Sequence, residues 1–267
     1  MIEQSISLGA KRRREGLERL VNDQGGITVA DAANRMGVSQ MTIRRDLDAL
    51  DALGRVRRVR GGAIVRVGRA HEPPLEDRAA LATAAKARIA RLAADLVGDG
   101  DTIILDVGST GVELARALRG RSRLTVLTAS VSVVSVLADE PGIRVIATGG
   151  LVRASEMSMV GAIAEGVFDN HNCDTLFLGV AGIDPVKGLT EFSLDDARVK
   201  QAAIRSARSV VVLADERKLG TVAFARISHF GAADVLICDA PPQHPVVRAA
   251  VEAGVRYLHA IEGEAVT

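Results

Sequence analysis

The pattern of apolar and polar positions along the chain changes near residue 79. Before that point, apolar residues recur every three or four positions within short segments, which indicates small amphipathic helices. After it, continuous apolar runs of five or six residues alternate with longer segments that have helical spacing. Short apolar strands separated by helices are typical of a parallel sheet that is covered on both faces. The pattern therefore predicts a small helical module followed by a larger α/β domain.

The small module begins with two predicted helices. The first covers residues 12–22, where leucine and valine recur at helical intervals, and it ends at Gly25-Gly26. The second follows Thr28, which we expect to be its N-cap, with an aspartate three residues later near the amide dipole. Gly37 is expected to end this helix, because glycine tolerates the left-handed conformation at helix C-termini.

A third helix is predicted directly after this turn. Ser39 is expected to cap it and Gly54 to end it. Its apolar residues recur at four and three positions and so share one buried face. They are Ile43, Leu47 and Leu50. A helix, a tight turn and a second helix of this kind are typical of the helix-turn-helix, whose second helix enters the major groove of DNA.

The outward face of the third helix carries candidate DNA contacts near its N-terminus. Arginine can donate two hydrogen bonds to guanine, glutamine can pair with adenine, and hydroxyls can bind phosphates. The candidates are Ser39, Gln40, Thr42, Arg44 and Arg45. The alternative is a solvated charged face, in which Arg44 pairs with Asp48 four residues later.

Residues 55–67 mix basic and aliphatic residues around Gly61-Gly62, which predicts a hairpin. Its arginines, Arg57, Arg58 and Arg60, are placed to neutralise phosphates beside the groove. Residues 1–67 are therefore predicted to be a winged helix-turn-helix that binds double-stranded DNA. Residues 68–78 are polar, contain Pro73-Pro74 and are predicted to be a linker.

The remaining chain, residues 79–267, is predicted to be one α/β domain with a mostly parallel, doubly wound sheet. A helical run comes first, and seven short apolar segments then follow as candidate strands. The candidate strands are residues 102–107, 124–128, 144–148, 175–180, 209–214, 234–238 and 255–259.

Turns of small residues follow several of these strands. Ligands of open α/β sheets bind at the carboxyl ends of strands, and a turn that opens a helix presents amides to an anion. The candidate residues for an anion site are Gly108, Ser109, Thr110, Ser130, Gly149, Gly150 and Gly182. Ordinary strand-to-helix turns are the alternative interpretation.

Charged residues near the same strand ends are further candidates for a ligand site. They are Asp106, Asp196, Lys200, Asp215 and Lys218. Lys200 follows Asp196 by four residues, so a surface ion pair between them is the alternative. For Lys218 the alternative is a solvated side chain.

Charge and composition narrow the class of protein. Residues 1–70 carry 14 Lys and Arg against 8 Asp and Glu, whereas the rest carries 20 against 25. A basic head on a mildly acidic body indicates that the head meets a polyanion. Aromatic residues make up 2% of the chain, so platforms that stack single-stranded bases are not expected.

The two cysteines, Cys173 and Cys238, form no C-x-x-C pair and are expected to be buried small hydrophobes. We expect no metal and no cofactor. The first residues lack the apolar stretch of a secretory signal, and no window holds eighteen uninterrupted apolar residues. A cytoplasmic protein without a membrane partner is therefore expected.

Residues 29–63 resemble the DeoR-type winged helix-turn-helix, whose signature combines VS..TIRRDL..L...G with an arginine-bearing segment that ends in Gly-Gly-Ala. The matching positions are Val38, Ser39, Thr42 to Leu47, Leu50, Gly54 and Gly61 to Ala63. The resemblance implies a sequence-specific transcriptional regulator.

The resemblance extends over residues 12–240. The family's sensor motifs are matched by DVGST (106–110), TAS (128–130), GG (149–150), FLGVAGID (177–184), GLT (188–190), DARVK (196–200) and ADERKLG (214–220). The resemblance implies a fold similar to that of sugar-phosphate isomerases. It also implies that the effector is a phosphorylated sugar or related metabolite, and that Thr128 is one of the residues that contact the effector. Ala129 replaces the usual Asn, and Asp196 the usual Glu, so the ligand contacts differ from the family pattern.

Together these features predict a transcriptional regulator that represses a carbohydrate-metabolism operon and has no catalytic residues. A homo-oligomer, dimer or tetramer, is expected, because symmetric protein matches a palindromic operator. Two alternatives remain. One is an isomerase-like enzyme, which needs a carboxylate base and a group that stabilises an enediolate. The other is a DNA-binding protein whose α/β domain only oligomerises.

Overall fold

Two compact units make up the chain, Met1–Gly68 and Arg69–Thr267. The computed structural model describes residues 2–53, 55–65 and 68–261. Across the described residues, no helix is both long enough and apolar enough to cross a membrane.

The first unit contains three helices and a small antiparallel sheet. Its elements are α1 (Ile2–Gln24), β1 (Gly26–Thr28), α2 (Val29–Met36), α3 (Gln40–Ala52), β2 (Val56–Val59) and β3 (Gly62–Val65). The strand order is β1-β3-β2. The helices and the hairpin match the predicted winged helix-turn-helix. The strand β1 was not predicted, because three residues are too few to show a period.

Local capping sets the ends of α2 and α3 as predicted. The Thr28 hydroxyl accepts a hydrogen bond from the Asp31 amide at 3.1 Å, and Gly37 ends α2 with φ of 64°. The Ser39 hydroxyl accepts from the Thr42 amide at 3.2 Å. Gly54, the predicted end of α3, lies outside the described residues.

The core of the first unit is formed by the apolar faces of its helices and sheet. Its fully buried side chains include the predicted Leu17, Val21, Ile43, Leu47 and Leu50. Each helix therefore buries the stripe that its sequence period defines.

In the described part of the second unit, twelve strands and seven α-helices are arranged around one large sheet. Its helices are α4 (Leu75–Ala80), α5 (Thr83–Asp95), α6 (Ser109–Ala117), α7 (Val131–Leu137), α8 (Ala162–Asp169), α9 (Leu194–Ser206) and α10 (Pro245–Glu252). Its strands are β4 (Thr102–Leu105), β5 (Leu124–Thr128), β6 (Ile143–Ala147), β7 (Leu151–Arg153), β8 (Ser158–Val160), β9 (Cys173–Gly179), β10 (Gly182–Asp184), β11 (Gly188–Glu191), β12 (Ala207–Ala214), β13 (Ala225–Ser228), β14 (Val235–Cys238) and β15 (Arg256–His259).

The large sheet has seven strands in the order β15-β14-β12-β9-β4-β5-β6, and every neighbouring pair is parallel. These are the seven strands that the sequence predicts, with shifted ends. The strand order reverses direction between β4 and β9, which makes this crevice the topological switch point of the sheet.

Helices cover both faces of the sheet, as a doubly wound fold requires. Alternate residues of β4 enter different cores: Ile103 and Leu105 face one, and Ile104 faces the other. The first core contains residues of α5, α6 and α7, and the second contains residues of α8, α9 and α10. The predicted fold class is confirmed.

Two smaller sheets were not predicted. The strands β10, β11 and β13 form an antiparallel sheet, and β7 pairs with β8 as a hairpin. Their strands have three or four residues each, so alternation is too short to be recognised.

The segment 68–78 differs from the linker that its polar composition predicts. The helix α4 begins inside it at Leu75, whose amide donates to the Ser155 carbonyl at 3.2 Å. The side chains of Glu72 and Arg78 are mostly buried against oppositely charged partners. Because those partners lie far along the chain, the sequence shows only a polar stretch. The domain boundaries themselves stay predictions.

Candidate nucleic-acid interface and ligand site

The exposed face of α3 carries free cationic side chains. Gln40, Arg44 and Arg45 are exposed, and within the described residues neither arginine has an ion-pair partner. The alternative pairing of Arg44 with Asp48 is wrong, because Asp48 instead accepts from Arg58 at 2.8 Å. The two arginines of α3 are therefore available to an external anion.

The hydroxyls of Ser39 and Thr42 have a local role. They lie 2.9 Å from each other, and the Ser39 hydroxyl also caps the helix. Both side chains help to fix the N-terminus of α3. A role for them in contacting DNA stays a prediction.

A buried ion pair holds α1 against α3. The Arg13 guanidinium donates to Asp46 through Nε at 2.5 Å and Nη2 at 3.3 Å. The hydrogen bond to Asp46 raises the pKa of Arg13, against the opposing effect of burial. Asp46 is buried, whereas Arg44 and Arg45, which directly precede it, are exposed. This pair fixes the helix that would read DNA and was not predicted.

The wing between β2 and β3 presents two further free cations. Arg57 and Arg60 are exposed and have no ion pair among the described residues. Arg58 differs from them, because it bonds Asp48 and the Gly62 carbonyl, and its amide donates to Asp51 at 3.1 Å. Arg58 thus ties the wing to α3, and its predicted phosphate contact requires that this pair opens.

In the second unit, a buried charge cluster lies at the switch point between β4 and β9. The Lys200 ammonium donates to Asp106 at 2.6 Å and to the Gly179 carbonyl at 2.9 Å, and it lies 2.9 Å from Glu191. Burial alone would lower the pKa of Lys200, but the two carboxylates outweigh it and raise the pKa. Burial raises the pKa of Asp106 despite Lys200.

This arrangement corrects the alternative that Lys200 forms a surface pair with Asp196. Lys200 is 3% exposed, and Asp196 pairs with Arg153. Lys200 thus lies between two buried carboxylates, Asp106 and Glu191, and is the cation that both of them share. Glu191 was not identified from sequence.

The turn after β4 leaves the N-terminus of α6 open. Gly108 has φ of 103° and gives the helix no side-chain cap. A side chain at Gly111 would collide with the Asp106 carbonyl, so glycine lets the helix approach the strand closely. The first amides of α6, at Ser109 and Thr110, thus keep donors that a helix N-terminus can offer an anion.

The hydroxyls at the end of β5 are used inside the protein. Thr128 donates to the Leu105 carbonyl at 2.6 Å and accepts from the Ser130 amide at 3.0 Å. Ser130 caps α7 by accepting from the Val133 amide. Ala129, which replaces the family's usual Asn, is buried. A ligand contact by Thr128 or Ser130 stays a prediction.

Packing accounts for the remaining glycine candidates. Gly149 and Gly150 have φ of 71° and 107°, and a Cβ at Gly150 would lie 2.6 Å from the Val160 carbonyl. A side chain at Gly182 would collide with the Thr221 carbonyl. Backbone conformation and packing therefore explain the glycines at these positions, with no need for a ligand.

A chain of alternating charges, which the sequence did not reveal, lies close to the α6 turn. Arg78 pairs with Glu156 and lies 3.8 Å from Glu72. Glu72 in turn bonds Arg153 at 2.6 Å, and Arg153 pairs with Asp196. A Cβ at Gly108 would lie 3.5 Å from the Glu156 carboxylate and 3.9 Å from the Arg78 guanidinium. The Arg78 guanidinium and its partner, the Glu156 carboxylate, thus both lie next to the N-terminus of α6.

Basic side chains also gather at the end of β12. Asp215 is buried and paired with Arg217 at 2.8 Å, and this bond outweighs burial and lowers the pKa of Asp215. Lys218 is half-buried, with its ammonium 5.8 Å from the Phe192 ring centre, and burial lowers its pKa. Lys218 is thus not the fully solvated lysine of the alternative interpretation.

A winged helix-turn-helix with free arginines on its third helix and wing, followed by a doubly wound α/β unit, defines the class of DNA-binding regulators. Comparison with known proteins agrees with this class. Residues 13–67 match the family model described as DeoR-like helix-turn-helix domain, and residues 81–240 match the DeoR C terminal sensor domain. The chain belongs to the DeoR family of transcriptional regulators.

Curated relatives match most of the chain. The HTH-type transcriptional regulator GolR of Listeria innocua serovar 6a is 34% identical over 85% of this chain and 89% of its own. The glycerol-3-phosphate regulon repressor of Escherichia coli strain K12 is 31% identical over 89% of this chain and 94% of its own. The relatives are named as regulators rather than enzymes, so the protein is a DNA-binding transcriptional regulator and not an isomerase.

Among solved structures, ribose 5-phosphate isomerase A of Methanocaldococcus jannaschii aligns with 50% of this chain and 53% of its own. Its sequence identity is 22% and the TM-score is 0.38. The strand order of the large sheet and the family match define the fold.

Proposed function

We propose that the protein represses a carbohydrate-metabolism operon and that a phosphorylated sugar or related metabolite changes its affinity for the operator. The observation that carries the ligand part is the open N-terminus of α6 beside Arg78. Amides at Ser109 and Thr110 and a guanidinium near Gly108 are a donor set suited to a phosphate group.

The remaining contacts of the effector are assigned to the same strand edge. We assign Asp106 after β4, Lys200 of α9 and Lys218 after β12 as further contacts of a sugar whose phosphate is held at α6. Because Asp106 and Lys200 already bond each other, a sugar hydroxyl can join them only as an additional hydrogen-bond partner. One relative is named the glycerol-3-phosphate regulon repressor. Glycerol-3-phosphate is a phosphate ester, and this name supports the proposed class of ligand.

The DNA part of the proposal rests on four free arginines. Arg44 and Arg45 of α3 are assigned to the major groove, and Arg57 and Arg60 of the wing to flanking phosphates. We further propose a homo-oligomer, dimer or tetramer, because two copies of α3 can then occupy a palindromic operator.

Control by the effector is a matter of linkage. The ligand can shift operator affinity only by the ratio of its affinities for the two states of the protein. For the ligand to relieve repression, the ligand must bind the DNA-free arrangement of the protein more tightly than the DNA-bound arrangement.

Fluorescence anisotropy on the protein's own upstream DNA tests the proposal. The full chain is titrated at fixed salt with competitor DNA, and sugar phosphates and their unphosphorylated parents are then added. Release by phosphorylated compounds only is the expected result. Specific DNA binding that none of the sugar phosphates alters contradicts the effector assignment and favours an α/β unit that only oligomerises.

A matched pair of variants tests the DNA contacts. Arg44→Ala is expected to weaken specific binding by roughly 1–3 kcal/mol, which is the usual value of a bidentate base contact. The control is Arg205→Ala, which removes an exposed arginine that pairs with Asp169 in the second unit. Equal affinities of the two variants contradict the assignment of α3.

A further inference from the structure

The charge chain described above fastens one segment of the second unit. Glu72 and Arg78 belong to the segment 69–81, and both of them bond the β7–β8 hairpin, through Arg153 and Glu156. The Leu75 amide bonds the same hairpin at Ser155. The segment thus has three separate bonds to one short hairpin.

A lysine and a loop hold the two ends of this segment. The Lys86 ammonium donates to the carbonyls of Arg78 and Leu81, at the C-terminus of α4. The Arg69 carbonyl accepts from the Phe224 amide at 3.0 Å. Both contacts hold the segment through its backbone carbonyls and do not involve the side chains of Glu72 and Arg78.

The contacts through Arg78 are of a different kind. Arg78 is 16% exposed, its partner Glu156 is almost fully buried, and both lie next to Gly108 at the open end of α6. Burial lowers the pKa of Arg78, against the charges of Glu72 and Glu191. The Arg78 guanidinium is shared by the carboxylates of Glu156 and Glu72, so a bound anion would compete with them for its N–H donors.

Position along the chain gives this segment its importance. It follows the DNA-binding unit directly in sequence, and its helix α4 packs on α6, the helix whose N-terminus is the phosphate candidate. A change in how the segment is held therefore acts on the residues that lead to the DNA-binding unit.

We propose that Arg78 is a switch residue, which binds Glu156 when the site is empty and turns to the effector's phosphate at Gly108–Thr110, loosening the segment 69–81 from the hairpin. This inference rests on the proposed function for the identity of the ligand. Phosphate has more charge and more acceptor oxygens than one carboxylate, so it competes effectively for a planar guanidinium.

Competition between phosphate and Glu156 for Arg78 has a measurable consequence for phosphate affinity. If phosphate and Glu156 compete for Arg78, then weakening Glu156 strengthens phosphate binding by the same coupling free energy. Glu156→Gln removes the competing charge and keeps the size of the side chain. An ordinary structural ion pair predicts the opposite or no effect, because its loss would only disorder the site.

The experiment compares full-length wild type, Glu156→Gln and Glu140→Gln. Glu140 bonds Arg119 at 2.6 Å, and it precedes β6 at the opposite, amino edge of the sheet, so this control loses an equivalent charge away from the site. Inorganic phosphate is titrated into each protein by calorimetry at constant ionic strength. Hydrogen exchange of peptides from residues 69–81 is measured with and without phosphate.

The expected result has two parts. Glu156→Gln binds phosphate about tenfold more tightly than wild type, equivalent to about 1.4 kcal/mol, whereas Glu140→Gln binds as wild type does. Exchange in residues 69–81 becomes faster when phosphate binds wild type, and it is already faster in ligand-free Glu156→Gln.

Arg78→Lys provides a second test that does not depend on the folding of Glu156→Gln. It keeps the positive charge but loses the fork, so weaker phosphate binding and no effect of phosphate on the segment are expected. Unchanged or weaker phosphate binding by Glu156→Gln with a native circular dichroism spectrum overturns the proposal. Slower or unchanged exchange of the segment in phosphate-saturated wild type, or no phosphate binding at all, also overturns it.

The DNA-binding assay separates this inference from the proposed function. Release of wild type by a sugar phosphate, with the same response in Glu156→Gln, defeats the switch and leaves the repressor function in place. Tighter phosphate binding and a loosened segment, with no sugar phosphate acting on DNA binding, support the switch and defeat the proposed function.

Discussion

The buried pair between Arg13 and Asp46 allows a sharp test of how α3 is held. Asp46→Asn keeps the shape of the side chain and removes its charge, and Asn and Asp have similar helix propensities. Asp48→Asn makes the same change two residues later in the same helix. Both aspartates bond an arginine, so the two variants differ mainly in burial.

The structure sets the expected magnitudes. The Asp46 side chain is 8% exposed and accepts two hydrogen bonds from Arg13, whose own side chain is 27% exposed. A hydrogen bond to a charged group contributes roughly 1.5–3 kcal/mol when buried, and the partial exposure of Arg13 reduces the loss to about 1–2 kcal/mol. The Asp48 side chain is 64% exposed, so its pair with Arg58 should contribute no more than about 0.5 kcal/mol.

Hydrogen exchange of α1 and α3 peptides in the full-length protein measures these differences locally. Asp46→Asn should speed exchange of the protected amides by about 5–30-fold, because that is the factor equivalent to 1–2 kcal/mol. Asp48→Asn should change it by about twofold or less. Equal effects of the two variants, or no effect of Asp46→Asn, would refute the view that this pair fixes the helix.

Three further predictions concern the second unit. Burial lowers the pKa of Lys86 from 10.5 to about 8. Between these two pH values the folded state binds fewer protons than the unfolded state, so the free energy of unfolding rises with pH. Relative to Lys86→Met, that of wild type should rise by about 3 kcal/mol across this window. Denaturation curves whose difference does not vary with pH would contradict it. Lys200→Met leaves two buried carboxylates without a counter-ion and should cost about 3–5 kcal/mol in urea denaturation, with a smaller loss at acid pH; an unchanged midpoint would show that the cluster does not need its cation. Gly150→Ala should cost roughly 1–3 kcal/mol of stability, because φ is positive and a Cβ would meet the Val160 carbonyl. The control Gly166→Ala, in open space within α8, should be neutral or stabilising. A larger loss of stability in Gly166→Ala than in Gly150→Ala would contradict this reasoning.

Features that depend on residues close in sequence could be predicted from the sequence. The caps at Thr28 and Ser39 each join residues three positions apart, and the apolar stripe of α3 lies within one helix. The seven parallel strands were predictable for a similar reason, since strands buried on both faces form continuous apolar runs. Local signals of this kind established both the winged helix-turn-helix and the α/β class.

Features that depend on distant pairs could not be predicted. Lys200 and Asp106 lie 94 positions apart, and Arg153 and Glu72 lie 81 apart. Spacing along the chain suggested instead the pairs Lys200–Asp196 and Arg44–Asp48. In the structure Lys200 pairs with the buried Asp106 and Glu191, whereas the exposed Asp48 pairs with Arg58 and Arg44 has no ion pair among the described residues. For Lys200, a favourable interval on a helix loses to buried partners elsewhere, because they also remove an unpaired charge from the core.

The candidate ligand site shows the same division in one place. Residue types at strand ends identified the turn at Gly108 to Thr110, because small residues there are a local signal. The same signal also selected Thr128 and Ser130, whose hydroxyls the structure uses within the protein. Residue type thus shows that a donor exists at the sheet edge, whereas only the fold shows whether the donor is already occupied. Arg78, the residue that we propose responds to a ligand at this turn, lies in a segment whose polar composition predicts a linker, so the sequence did not place it beside Gly108.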